Sequence, residues 1–424
     1  MKRRNFLLGA AALGAGAAWW ARPGAEGAPY DDYFRALNQE LKRNGNWRPS
    51  LVIDLDRLDH NIAQVVKSVR APKHYRVVEK SLPSAKLLDY IMRKAGTKRL
   101  MSFHQPFAND DALLFPDADI LIGKPLPVRS AGLFYQNLKG SFDPSRQMQW
   151  LLDTPERLQQ YLELAQGLGT KLRINIEIDV GLHRGGVDSD QTLAQMLKLI
   201  EAHPQQLEFA GFMGYDPHVT ALPRLAGTRE ELFGKVMQTY QQRVDLLRSQ
   251  FPKLWREDLT LNTAGSPTYR LHEQESLSND ISVGTAMLKP THYDIDTLAE
   301  HVPAAFIATP VLKAEGPLRL PGLDGLSRMM NGWDPNLRET FFIYGGNWMA
   351  EYESPRGLRR NELYGHSSNQ ENVTASIDTG LKVDDHVFLR PVQVEGVLLE
   401  FGDLIALRGG RIVDRWPVLS QAAG

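Results

Sequence analysis

Eight strand-like runs, at 74–80, 99–103, 119–124, 147–153, 171–180, 208–216, 259–264 and 281–287, dominate the middle of the chain. Helical patterns at 84–95, 106–115, 128–139, 155–168, 189–202 and 228–250 lie between most of them. A strand that returns through a helix re-enters its sheet parallel to the strand before it. Eight such units over roughly 220 residues predict a (β/α)8 TIM-type barrel. A doubly wound open sheet is the alternative. No Gly-x-Gly-x-x-Gly follows the strand at 51–55, which weighs against it.

Past residue 297 the alternation stops. Strand runs at 306–312, 340–344, 386–389 and 403–407 are separated by turns such as Pro321-Gly322-Leu323-Asp324-Gly325 and Arg408-Gly409-Gly410-Arg411. This part reads as a C-terminal β domain. The expected division is a signal segment at 1–28, an N-terminal segment at 29–58 packing with the β domain, the barrel at 59–297 and the β domain at 298–424.

Acidic and basic residues nearly cancel, with a formal charge of −1, so no nucleic-acid partner is expected. The absence of cysteine excludes disulfides, thiolate metal sites and a cysteine nucleophile. At the start, Lys2-Arg3-Arg4-Asn5-Phe6-Leu7-Leu8 leads into an apolar run through Trp20. This resembles a twin-arginine export signal and implies the Tat export machinery as a transient partner and a periplasmic location. An ordinary secretory signal or an uncleaved anchor is the alternative. Cleavage is expected near Ala25 or Ala28.

Barrels of this kind keep their chemistry at the C-terminal ends of the strands. The first strand ends at Lys80. A partly dehydrated lysine there can be neutral and nucleophilic, so Lys80 is the candidate for a Schiff base with pyridoxal phosphate. The alternative is a surface lysine at a loop entrance. The fifth strand runs into Gly181-Leu182-His183-Arg184-Gly185-Gly186, where Arg184 offers a fixed cation to a ring oxygen, unless it pairs with Asp179 or Asp188. The sixth ends in Tyr215-Asp216-Pro217-His218. Tyr215 can flank a ring or donate from its hydroxyl as a catalytic group, and His218 can act as acid or base or be a structural histidine. The turn Asn262-Thr263-Ala264-Gly265-Ser266 after the seventh strand, with Gly284-Thr285 after the eighth, reads as a phosphate cradle.

Together these residues resemble the fold-type III pyridoxal phosphate enzymes, the alanine racemase-like barrels, and within them the D-threonine aldolase and D-serine dehydratase branch. The resemblance covers roughly residues 48–418. It also rests on Val52-Ile53-Asp54-Leu55-Asp56 with Asn61, and on Arg408-Gly409-Gly410-Arg411 running into Trp416-Pro417. It implies Lys80 as the Schiff-base lysine, Arg184 on the ring's phenolic oxygen, Tyr215 beside the cofactor and Asn262, Gly265, Ser266, Gly284 and Thr285 around its phosphate. It also implies a homodimer. The branch binds a divalent metal near its C-terminus; the matching residues here are Gln393 and Glu395, oxygen ligands that suit Mg²⁺, Mn²⁺ or Ca²⁺ better than Zn²⁺. Loss of that metal site is the alternative.

The implied function is a pyridoxal phosphate-dependent lyase on D-β-hydroxy amino acids, cleaving them as a D-threonine aldolase does. Lys80 and His218 are the candidate bases. A D-serine dehydratase, a racemase using Tyr344 or Tyr364 as its second base, and a non-enzymatic carrier of the cofactor remain as alternatives. A carbohydrate-active or metal-hydrolase barrel would need more carboxylates or histidines at the strand tips than Asp179, Asp216, His104, His183 and His218 supply.

Overall fold

The computed structural model describes residues 22–420. The paired arginines and the apolar run after them lie outside the described residues. Among the described residues no helix is long and apolar enough to cross a membrane. The chain divides into two compact units. One comprises residues 55–304, 394–403 and the chain from 416; the other comprises the chain to 54, 305–393 and 404–415.

Strand β1 (Ser50–Asp54) belongs to the second unit. Strands β2 (His74–Val78), β3 (Arg99–Ser102), β4 (Asp119–Ile122), β5 (Met148–Leu152), β6 (Leu172–Glu177), β7 (Leu207–Gly214), β8 (Thr260–Thr263) and β9 (Asp280–Val283) form a closed barrel. All eight pairings are parallel, and β2 closes onto β9 with Val77 opposite Val283. The strands stop short of their expected ends. After Val78 the chain tightens into a 3₁₀ turn at Glu79–Ser81, and after Val283 into another at Thr285–Met287. The residues just past the ladder are thereby turned toward the barrel mouth.

Alternation along the strands points every second residue inward. One inward set is polar. The Arg76 guanidinium is fully buried, 2.7 Å from Asp280 and 2.7 Å from Asp119. Gln149 donates to Asp119 at 3.1 Å and Thr260 at 3.0 Å, and accepts from Asn175 at 3.2 Å. Two residues further along their strands, Met101, Leu121, Leu151 and Met213 form an apolar layer, with Val78, Phe103 and Tyr215 against it. An isolated buried charge is costly, so the ion pairs have to be complete.

The second unit is a nine-stranded, mostly antiparallel sheet. Strand β10 (Ala305–Ala314) pairs antiparallel with β1, Ser50 opposite Ala308. Asp31 caps the helix Asp32–Asn44, whose Phe34, Leu37 and Leu41 pack on Val52, Phe306, Phe388 and Ile405. Several boundaries differ from those expected, and residues 298–304 and the chain from 416 also go with the barrel. Residues 55–58 go with the barrel because they open the helix Leu55–Ser68, whose buried Asn61 donates to the Met287 and Val302 carbonyls at 2.8 Å each. Residues 394–403, expected in the β domain, return to the barrel unit.

Candidate active site

Lys80 sits in the 3₁₀ turn after the first barrel strand, and its side chain is 49% exposed rather than enclosed. Its amine lies 3.7 Å from Glu395 Oε1 and 5.5 Å from the centre of the Phe103 ring. The same carboxylate oxygen accepts from the Ser81 hydroxyl at 3.0 Å and from Thr285 at 3.4 Å. The backbone preceding Lys80 is anchored by a carboxyl that water does not reach. Glu79 is buried, and Ser102 donates to it at 3.2 Å. Burial, reinforced by the neighbouring Asp111, pushes Glu79 well above the carboxylate range; burial pushes Asp111 up to about 8.

The loop after β6 is organised by Asp179. Its carboxylate accepts from the backbone of Gly181 at 2.9 Å and His183 at 3.0 Å, and meets the His183 ring at 2.7 Å. His183 adopts a left-handed φ of 55° to close this turn. Asp179 is thus engaged with His183, and among the described residues no ion pair joins Arg184 to Asp179 or Asp188. The guanidinium instead lies over the Tyr215 ring, 4.8 Å from its centre. Burial pushes the Tyr215 hydroxyl up, which keeps it protonated, a donor and not a base.

Behind Tyr215 the turn after β8 has no spare room. A side chain on Gly265 would meet the Tyr215 ring at 2.6 Å, and one on Gly284 would meet Val78 at 2.8 Å. Ala264 holds a left-handed φ of 69°. The Ser266 hydroxyl accepts from the backbone N–H of Ala286 at 2.9 Å and of Gly284 at 3.4 Å. These two bonds tie the turn after β8 to the turn after β9.

Two cavities open here. The inner one, about 80 Å³, is lined by Lys80, Ser81, Arg184, Tyr215, Gly265, Ser266, Gly284, Thr285 and Tyr293. The outer one, about 520 Å³, shares Lys80, Phe103, Gly123 and Arg184 and adds Glu79, His104, Lys124, Asp153, Glu177 and Glu395. Lys80, Arg184, Tyr215, Gly265, Ser266, Gly284 and Thr285 thus meet at one place.

Three expected residues do not. Asn262 spends its amide on Asp280 at 2.5 Å and Ser282 at 2.8 Å, as part of the polar barrel interior. His218 opens the short helix His218–Ala221, lines neither cavity and faces Gly181. Burial lowers its pKa. Gln393 and Glu395 fall in different units, and Glu395 is engaged by Lys80, Ser81 and Thr285. Among the described residues no group of three or more His, Asp or Glu side chains is arranged to hold a metal. The pair does not fit a metal centre, because one carboxylate shared with an amine and two hydroxyls leaves too few ligands.

Several lining residues were not among the sequence candidates, among them Tyr293, Lys124, Asp153 and Glu177. Tyr293 follows the last strand in the turn Thr291–Tyr293, where alternation no longer speaks. Asp153 directly follows its strand and Lys124 lies two residues past Ile122. For Glu177 the sequence does carry a signal: Arg173, Asn175, Glu177 and Asp179 alternate with Ile174, Ile176 and Ile178, polar inward and apolar outward.

A family model described as "Alanine racemase, N-terminal domain" matches residues 53–291. The chain belongs to this family. It is a family of fold-type III pyridoxal phosphate enzymes. The 3-hydroxy-D-aspartate aldolase of Paracoccus denitrificans (strain Pd 1222) is 22% identical over 394 residues, 89% of this chain and 92% of that protein. The D-threonine aldolase from Filomicrobium marinum shares the fold with a TM-score of 0.67 at 16% identity, covering 88% of this chain and 97% of that one. The D-threo-3-hydroxyaspartate dehydratase from Delftia sp. HT23 gives 0.67 at 16% identity over 88% and 97%. The alanine racemase from Bacillus anthracis gives 0.66 at 15% over 88% and 98%.

The residues present fit the family's cofactor. Lys80, Arg184, the Ser266 and Thr285 hydroxyls and the Gly265 and Gly284 backbone line one cavity, a donor set that suits an aldehyde, a phenolic oxygen and a phosphate, and the two glycines let the turns pack tightly against Tyr215 and Val78. Gly284→Ala is expected to overpack against Val78, destabilising the protein by about 1–3 kcal/mol and weakening cofactor uptake. A thermal melt beside a cofactor titration checks both.

Proposed function

We propose that this protein is a pyridoxal phosphate-dependent lyase acting on D-β-hydroxy amino acids by retro-aldol cleavage. The observation that carries the reading is the convergence of Lys80, Arg184 and the Ser266 turn on one cavity at the barrel mouth. The relatives named as an aldolase and a dehydratase support the substrate class. When bound, the cofactor supplies an electron sink for the bond that breaks at the substrate's α-carbon. Lys80 is the attachment point. Arg184 would offer its positive charge to the cofactor, and the Ser266 turn with Gly284 and Thr285 would take its phosphate. With Glu395 beside it, the freed Lys80 amine can hold or release a proton at the α-carbon.

Dehydration of the same substrates is the second reading, and Glu177 favours it. Burial, with Asp153 adding to it, pushes this carboxyl up to about 7. It lines the outer cavity with Lys80, so it can hold a proton for a leaving β-hydroxyl at neutral pH. A raised carboxyl keeps its proton below the shifted value and loses it as pH rises through about 7. A dehydratase using Glu177 should therefore lose kcat/KM above pH 7, and Glu177→Gln should abolish that limb. A pH profile of both proteins decides.

Incubation with D-threonine and D-serine separates the outcomes. Glycine with acetaldehyde supports the aldolase. Ammonia with a 2-oxo acid supports the dehydratase. Formation of the L-enantiomer alone rejects both and points to a racemase. We also propose export to the periplasm on the paired-arginine pattern, and a homodimer on the family resemblance.

A further inference from the structure

Behind the anion turn runs a buried polar chain that the chemistry above does not use. Asp216 directly follows Tyr215 and is fully buried. One of its oxygens accepts from the Thr268 hydroxyl at 2.6 Å, and the other meets His272 Nε2 at 2.8 Å. His272 is also fully buried, with Nδ1 3.5 Å from Glu275. Glu275 in turn is paired with Lys73 at 2.7 Å and accepts from Ser278, and Lys73 also donates to the His272 carbonyl. The edge of the imidazole is covered by Phe233, ring centres 4.8 Å apart. Burial alone would lower His272; Asp216 and Glu275 outweigh it and hold the ring protonated above its usual range.

The inner end of this chain is the informative one. An ionised carboxylate only accepts, so Thr268 must give its proton to Asp216. That leaves the hydroxyl's lone pairs for the Gly265 N–H, 3.2 Å away. Asp216 thereby ties the end of β7, which runs into Tyr215, to the turn carrying Gly265 and Ser266. The fit there is close, since the Tyr215 ring occupies the place of any side chain at Gly265.

We propose that the Asp216–His272 pair, acting through the Thr268 hydroxyl, is the positioning device that holds the anion turn in register with Tyr215 and so sets the affinity for the cofactor's phosphate. None of the three side chains lines the cavities, so they are positioning residues. The inference rests on the reading that the Ser266 turn takes the phosphate of pyridoxal phosphate.

The test compares cofactor-free protein carrying Thr268→Val, Thr268→Ser or Asp216→Asn with the unaltered protein. Each is titrated with pyridoxal phosphate and with pyridoxal, binding being read from the visible absorbance band. Thr268→Val and Asp216→Asn should weaken pyridoxal phosphate by about 10- to 100-fold, the scale of a lost hydrogen bond to a charged group. They should change pyridoxal little, and Thr268→Ser should restore wild-type affinity. If Asp216→Asn does not fold, the Thr268 pair alone decides. Equal loss for both ligands, or wild-type affinity in Thr268→Val, overturns the positioning role and leaves the cofactor reading standing. Failure of the unaltered protein to take up pyridoxal phosphate overturns both.

Discussion

Lys80→Ala is expected to lower kcat for the preferred D-amino acid by at least about 10³-fold, because a positioned acid–base group is lost together with the cofactor's attachment point. The phosphate cradle at Ser266 and Gly284 does not touch this side chain, so the variant should still bind pyridoxal phosphate, more weakly and without the absorbance of a lysine-linked cofactor. The fold should be unaffected, since Lys80 is half exposed and its ion pair with Glu395 spans 3.7 Å. Exposed pairs of that kind contribute little. Measuring kcat, the visible spectrum and the melting temperature together separates this outcome from misfolding. Turnover within tenfold of wild type would remove Lys80 from the chemistry.

Arg76→Met is expected to have the largest effect on stability, about 3–5 kcal/mol, because it strips a partner from carboxylates inside the barrel. Asp280 is fully buried and held below the usual carboxylate range; Arg76 is the chief cause opposing its burial, with Arg99 and Asn262 assisting. The replacement would leave Asp280 with Arg99 at 2.6 Å, a side chain itself 26% exposed. The sign with pH follows from the lowered value. The stabilisation is present above the ordinary carboxylate pKa and is lost as pH falls through the lowered one. Urea titrations at pH 7 and pH 3 should therefore show a large difference between wild type and Arg76→Met at neutrality and a smaller one in acid. Arg99→Met, altering a partly exposed residue, should cost less. Equal midpoints for Arg76→Met and wild type at pH 7 would contradict this role of the polar interior.

The barrel was legible because eight strand patterns alternating with helices admit few arrangements, and each observed strand overlaps its expected run, two of them starting one residue earlier. Lys80, Arg184 and the Ser266 turn were legible for a related reason: residues at the ends of parallel strands must gather at one mouth. Asn262 and His218 were misplaced because position near a strand tip does not say which way a side chain points. Asn262 comes before the last residue of its strand, and alternation sends it into the polar interior. His218 lies past a proline turn that carries it toward Gly181. The polar interior itself was hidden, because Arg76 and Asp280 are far apart in sequence and nothing local marks their pairing. Glu395 was read by its neighbours in sequence as a metal ligand. The return of residues 394–403 to the barrel unit brings it to Lys80 instead.

The central claim is that one amine at the barrel mouth carries the cofactor. The most direct measurement is borohydride reduction of the protein saturated with pyridoxal phosphate, followed by proteolysis and mass mapping of the modified peptide. A single pyridoxyl adduct on Lys80, missing in Lys80→Ala, is the expected result. An unmodified Lys80 peptide, or an adduct spread over surface lysines such as Lys98 and Lys313, would contradict the claim.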